Sequence, residues 1–223
     1  MGAGANLSCN SFSGYLDGGL PFGGVTFGPD GNLYGTTIDG GADGFGAVFQ
    51  LVGASNWSVN TLYSFGCGSD GCQPFSGVTF DTSGNLYSST SGIECVTGSA
   101  GNAFKLSSGN WSYSSLYCFA GSFEGGPNQS ALLFDKAGNL YGTTYAAGAY
   151  GWGSVFTLTQ SNGTWTYTAL HDFAGGSDGG YPVGNLVFDT KGNLYGTTTC
   201  GGSGGSCGNK DHGYGLVFKI SGL

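Results

Sequence analysis

Residues 31–37 read GNLYGTT; the same seven letters return at 138–144 and 192–198, and a worn copy, GNLYSST, stands at 84–90. Asn32, Asn85, Asn139 and Asn193 are therefore equivalent, spaced 53, 54 and 54 residues apart. A period of this size marks a repeat architecture, in which each unit leaves an apolar face that only a neighbour can cover. Every unit keeps one order. An acidic Gly-rich loop (LDGGLPFGG at 16–24, SDGGYPVGN at 177–185) leads into a short apolar strand, VTF, VTF, LLF or LVF. A tight turn and the heptad follow, then a variable loop, a strand such as GAVFQL (46–51), and a last strand such as WTYTALHDF (165–173). Short alternating runs bounded by turn residues read as strands. Gly31, Gly84, Gly138 and Gly192 stand where a hairpin turn needs a positive φ.

Four strands per unit at this period predict an all-β chain, a four-bladed β-propeller with four antiparallel strands per blade. The blades fall at approximately 17–65, 70–119, 124–173 and 178–223. Blade four stops at GLVFKISGL without a fourth strand, and the first residues have no place in blade one. Phe12 precedes Asp17 by five residues, as Phe65 precedes Asp70, Phe119 precedes Glu124 and Phe173 precedes Asp178. An N-terminal strand at 5–12 is thus expected to complete blade four and close the ring, hiding two sheet edges. A closed monomer is preferred to an eight-bladed ring made by two chains.

Of 223 residues, 48 are glycine, 15% are aromatic and only 8% are charged. The 16 Phe and 13 Tyr set the chain apart from disordered sequences of low charge. With 13 acids against 5 lysines and no arginine, the net charge is −8, which argues against nucleic acid or an anionic membrane as partner. No run of about 18 apolar residues is present to insert into a bilayer. MGAGANLSCN lacks the segments of an export signal, yet seven cysteines point to an oxidising compartment, so a removed signal and a secreted or bacterial cell-surface location are expected. Asn56, Asn110 and Asn162 open glycosylation-type triplets.

DGNLYGTT followed by GG, G and VF, and preceded by DGG.P..G, resembles the GloVer tandem-repeat family of bacterial exported and surface-anchored proteins. The resemblance covers nearly the whole chain. It implies a propeller-like fold at the cell exterior and brings no catalytic residue. Blade two departs from it with Ser88 and Ser89, and blade three with Pro127 and Asn128.

Function is expected on the loops that gather at one face of the ring. Phe45, Trp152 and Tyr214 begin the third strand of three blades, and Tyr145, Tyr150 and Tyr181 lie in or beside the same loops. Flat rings beside Asn, Asp and Thr fit the C–H faces and hydroxyls of a neutral sugar. These aromatics equally fit packing between blades, and Trp57, Trp111 and Trp165 are read as packing of the outer strand. The first reading is therefore a non-enzymatic protein that binds a glycan or another neutral or cationic small ligand. The alternatives are a secreted carbohydrate-active hydrolase and a structural surface module that recognises another protein. For a hydrolase the candidate groups are Glu94, Asp39, Asp43 and the Asp211/His212 pair, because two carboxylates roughly 5–10 Å apart can cleave a glycosidic bond.

Asp17, Asp70, Glu124 and Asp178 recur at one position in every blade. They either form a carboxylate ring for a cation such as Ca²⁺ or accept N–H groups of their own turns. No cofactor is otherwise expected. Asp81, Asp135 and Asp189 are read as turn acids on the opposite face. Cys200, Cys207, Lys210, Asp211 and His212 share the longest loop, whose spacing fits a disulfide-tied loop better than a zinc site. Cys67 is expected to bridge to Cys72, Cys118 lies near Cys95, and Cys9 with Cys200 or Cys207 would staple the closure. Seven cysteines leave one thiol over.

Overall fold

The structure, a computed structural model, describes residues 9–53, 57–91, 99–120, 130–202, 207 and 213–223. They form antiparallel sheets, one per repeat. The first contains β1 (Thr26–Phe27), β2 (Leu33–Thr37), β3 (Ala47–Val52) and β4 (Ser58–Ser64). The second contains β5 (Thr79–Phe80), β6 (Leu86–Thr90), β7 (Ser99–Leu106) and β8 (Tyr113–Ala120). The third contains β9 (Leu133–Phe134), β10 (Leu140–Thr144), β11 (Ser154–Ser161) and β12 (Thr164–Asp172). The fourth contains β13 (Gly180–Phe188), β14 (Leu194–Cys200) and β15 (Leu216–Ile220). In each sheet the strands pair in sequence order. The heptad is always the second strand, and its central glycine is what lets a phenylalanine of the third strand lie across it. A Cβ on Gly35 would stand 2.7 Å from the Phe49 ring, and one on Gly142 2.5 Å from Phe156. Where the second repeat has Ser88 instead, the hydroxyl bonds Gly77 O at 3.0 Å.

The turn before each heptad is one hydrogen-bonded unit. Gly31, Gly84, Gly138 and Gly192 have φ between 79° and 89°, as the turn chemistry requires. In the second repeat Asp81 accepts the Asn85 backbone N–H (2.9 Å), the Asn85 side-chain amide (2.8 Å) and the Tyr87 hydroxyl (3.0 Å). Asp135 and Asp189 do the same for Asn139 with Tyr141 and Asn193 with Tyr195, so they are turn acids as read. The first repeat carries Gly28 at that position, and Asp30, two residues later, takes over the same bonds to Asn32 and Tyr34. Burial, aided by the Asp30 carboxylate, pushes the Tyr34 hydroxyl up to about 12. A raised phenol pKa stabilises the fold below the unfolded value of 10.0, and that contribution is lost as pH climbs toward 12. Urea midpoints followed across this range are expected to fall, and a Tyr34→Phe variant to fall less.

Consecutive sheets share their cores. Tyr34, Val48 and Phe65 of the first repeat pack with Val78, Leu86, Phe104 and Leu106 of the second. Tyr87, Ala103 and Phe119 pack with Leu132, Leu140, Phe156 and Leu158, and Tyr141, Val155 and Phe173 pack with Leu186 and Leu194. A phenylalanine at the end of each outer strand, Phe65, Phe119 or Phe173, inserts into the next repeat, edge-on to its third-strand phenylalanine. Phe65 meets Phe104 at 5.3 Å, Phe119 meets Phe156 at 5.1 Å and Phe173 meets Phe218 at 5.3 Å. Phe12 meets Phe49 in the same way at 4.9 Å, which bears out its equivalence. The tryptophans also cross the seams: Trp111 lies 5.8 Å from Tyr34, and Trp165 joins the cluster of Tyr87. Residues in or just before the first strands of the four repeats line a cavity of about 280 Å³, among them Gly24, Gly77, Ala131 and Asn185.

The seam between the fourth and first sheets differs. Val25 and Phe27 are 53% and 72% exposed and Val217 is 74% exposed, while Val48, Ala103 and Val155, the counterparts of Val217, are fully buried. Among the described residues no strand other than β14 pairs with β15, and residues 9–12 are in no strand; residues 5–8 of the expected closing strand lie outside the described ones. Cys67 pairs with Cys72 as expected. Cys9 does not staple the closure, because Cys200 is bridged to Cys207 across a Cα separation of 5.4 Å, and Cys9 is free and exposed. Cys118 is disulfide-bonded, and Cys95 lies outside the described residues. No helix among the described residues is long and apolar enough to cross a membrane.

Candidate functional site

The loop face is assembled by one device repeated across seams. Gly46 and Gly153, opening the third strands, abut the next repeat's proline, so that a Cβ there would meet Pro74 Cδ at 2.7 Å and Pro182 Cδ at 2.5 Å. The residue before each glycine, Phe45 or Trp152, offers its carbonyl to the N–H of Gln73 (2.9 Å) or Tyr181 (2.7 Å). Gln73 and Tyr181 both sit at φ 53°, a left-handed conformation, and the Tyr181 ring lies back over the seam against Tyr145 and Trp152. Between the third and fourth repeats this brings three rings together. Tyr145 stacks on Tyr181 with centroids 4.7 Å apart and planes 23° from parallel, and Trp152 meets Tyr181 edge-on at 5.3 Å. Tyr145 is 45% exposed, and Trp152 also packs against the core below. The cluster is therefore anchored at one end and open at the other.

Of the expected ligand-binding residues, Trp152 and Tyr181 are in contact, and Tyr145 adjoins them. Phe45 and Tyr150 are exposed and have no ring contact with the cluster; Tyr214, the counterpart of Phe45 and Trp152 in the fourth repeat, is 95% exposed. Of the hydrolase candidates, Asp39 is exposed, with its backbone paired to Gly19, and Asp43 is exposed beside Gly66. Glu94, Asp211 and His212 lie outside the described residues, as do Glu124 and Lys210.

The recurrent loop acids are engaged by their own segments. Asp17 accepts the Ser13 N–H and hydroxyl, and these bonds, led by the hydroxyl, hold its carboxyl below the usual range. Asp70 accepts Gly66 N–H at 2.9 Å and the Tyr63 hydroxyl at 3.0 Å. Asp178 accepts Ala174 N–H at 2.8 Å and faces His171 Nε2 at 3.0 Å. The pairing of Asp178 with His171 was not anticipated from sequence, although His171 stands in register with Tyr63 and Tyr117. Among the described residues no cluster of three or more His, Cys, Asp or Glu has metal-binding geometry.

The profile of the Gloeobacter/Verrucomicrobia repeat matches residues 60–222. The chain belongs to this family. Nothing among the curated proteins matches it. By structure the family member is similar to a protein described as a putative gluconolactonase, with a TM-score of 0.52 and 16% identity over 80% of this chain and 57% of that one. It is also similar to a protein of unknown function from Dyadobacter fermentans, with a TM-score of 0.54 and 12% identity over 90% and 65%. A third similar structure is a putative oxidoreductase (glucose dehydrogenase) from Thermus thermophilus, with a TM-score of 0.52 and 19% identity over 91% and 66%. The chain spans about three fifths of the length of these structures. At such identities the likeness concerns the fold, which is β-propeller-like.

Proposed function

We propose that this family member is an exported propeller that binds a neutral carbohydrate on its loop face, at Tyr145, Trp152 and Tyr181. The observation that carries the reading is the half-exposed stack of Tyr145 on Tyr181 with Trp152 at its edge. A sugar ring laid on Tyr145 keeps its C–H face on an aromatic plane while its hydroxyls stay in reach of loop backbone. Two of the structurally similar proteins carry names tied to glucose-derived compounds, which agrees with this ligand class. The disulfides Cys67–Cys72 and Cys200–Cys207 fit an oxidising exterior. Calorimetric titration with a panel of neutral oligosaccharides is expected to give saturable binding that weakens about tenfold in Tyr145→Ala. The melting temperature should change little, because Tyr145 is outside the shared cores. Absence of saturable binding to every glycan, or binding indifferent to Tyr145, would overturn the reading.

We also infer that the four repeats form a closed four-bladed ring within one chain. The open faces carry the residue types of the closed seams: Phe27 corresponds to Phe80, Phe134 and Phe188, and Tyr195 to the tyrosines these rings cover. A closing strand would then pair with the edge of β15 that β14 does not use. Light scattering is expected to give the mass of one chain, and hydrogen exchange to show protection also at the β15 amides that do not bond β14. A two-chain mass, or rapid exchange at those amides, would reject this closure.

A further inference from the structure

The turn face, opposite the loops, holds a second cleft, of about 990 Å³, between the third and fourth sheets. Its apolar walls include Leu133, Tyr141, Leu186 and Phe188, and Lys136 and Lys191 stand at its edge. The two preceding seams show what this space accommodates. In the first, Phe80 lies edge-on to Tyr34 and Trp111 covers the pair; in the second, Phe134 lies edge-on to Tyr87 and Trp165 joins them. In the third seam Phe188 lies edge-on to Tyr141 at 5.1 Å; among the described residues Trp152, which packs against this core, has its ring contact with Tyr181 and not with that pair. Residues 178–223 contain no tryptophan, and counting back eight residues from Phe12, as Trp111 and Trp165 precede Phe119 and Phe173, reaches Gly4. No tryptophan of the sequence therefore stands at the position that Trp111 and Trp165 hold for the other seams.

Charge narrows the occupant. Lys136 and Lys191 are two of only five basic side chains in a protein of net charge −8. Asp135 and Asp189, their neighbours in the turns, also line the cleft, but direct their carboxylates to the backbone and side-chain amides of Asn139 and Asn193 and to the Tyr141 and Tyr195 hydroxyls. The ion pair found among the described residues, His171 with Asp178, lies elsewhere. Both lysines are exposed and line this apolar slot. We propose that this cleft binds a small aromatic carboxylate, its ring taking the place that Trp111 and Trp165 hold in the other seams and its carboxylate pairing with Lys136 and Lys191.

Indole-3-propionate and the neutral 3-methylindole serve as probes in titrations of the full chain followed by ligand-observed NMR. The acid is expected to bind saturably, and Lys136→Met with Lys191→Met to weaken it about tenfold while leaving 3-methylindole unchanged. Leu133→Trp, at a half-buried position that lines the cleft and packs against the Tyr141 core, is expected to occupy the place of the missing ring and remove both. The unchanged response of the lysine variants to 3-methylindole checks that they are folded. The proposal is overturned by failure of the acid to saturate, by lysine variants that bind it as the parent does, or by binding that survives Leu133→Trp. Because the loop-face aromatics lie on the opposite side, Tyr145→Ala should leave this binding intact, and its loss there would also count against the site.

Discussion

Phe104→Ala is expected to cost about 3–5 kcal/mol of unfolding free energy, the usual range for emptying a fully buried aromatic site. Phe104 is inaccessible to solvent, receives the edge of Phe65 from the preceding repeat and stacks on Tyr113 at 5.7 Å. Truncation therefore opens a cavity in a core owned jointly by two sheets. Phe22→Ala, at an exposed ring, is the matched control and should lie within about 1 kcal/mol of the parent. Chemical denaturation of the two variants checks the difference. Equal midpoints would mean that the first seam contributes little to the fold.

Asp135→Ala is the second large effect, expected at about 2 kcal/mol. It removes an acceptor used by Ala137 N–H, both donors of Asn139 and the Tyr141 hydroxyl, of which the last belongs to a buried residue. The same geometry sets an acid limit. Burial raises the carboxyl of Asp135, but the bonds from Asn139, Ala137 and Tyr141 outweigh it and hold the group below its ordinary 3.8. Asp30 and Asp81 behave likewise, and Asp189, held mainly by the Asn193 side chain, falls to about 2. A depressed carboxyl pKa stabilises the fold above the unfolded value, and this contribution disappears as pH drops through the folded one. Stability should thus be level above about pH 5 and decline from about 4 toward 2. In Asp135→Ala that decline should be shallower, which urea midpoints at successive pH values would reveal.

Much of the fold was legible because its determinants are local or strictly periodic. Asp81, Asn85 and Tyr87 lie within seven residues, so their shared turn could be read from spacing, and the equivalence of Phe12 with Phe65 needed only counting. Asp30 shows where this stops: a two-residue displacement of the acid in the first repeat preserves the bonds, since either position reaches Asn32 and Tyr34. The cysteine pairing was legible only in part. Cys67 and Cys72 flank one tight turn, but the choice of Cys207 over Cys9 for Cys200 depends on the path of a loop. The aromatic site was half visible, because the left-handed backbone of Tyr181 that turns its ring onto Tyr145 belongs to a non-glycine residue and carries no compositional mark. The cleft on the turn face was not foreseen at all, since it arises from a tryptophan that one repeat does not supply.

The sharing of each core by adjacent sheets has a mechanical corollary. A sheet at either end of the described array forfeits one joint core when it detaches, whereas an inner sheet forfeits two. Fraying should therefore begin where the first and fourth sheets share no core among the described residues and advance from there seam by seam, leaving the second and third repeats as the last to melt.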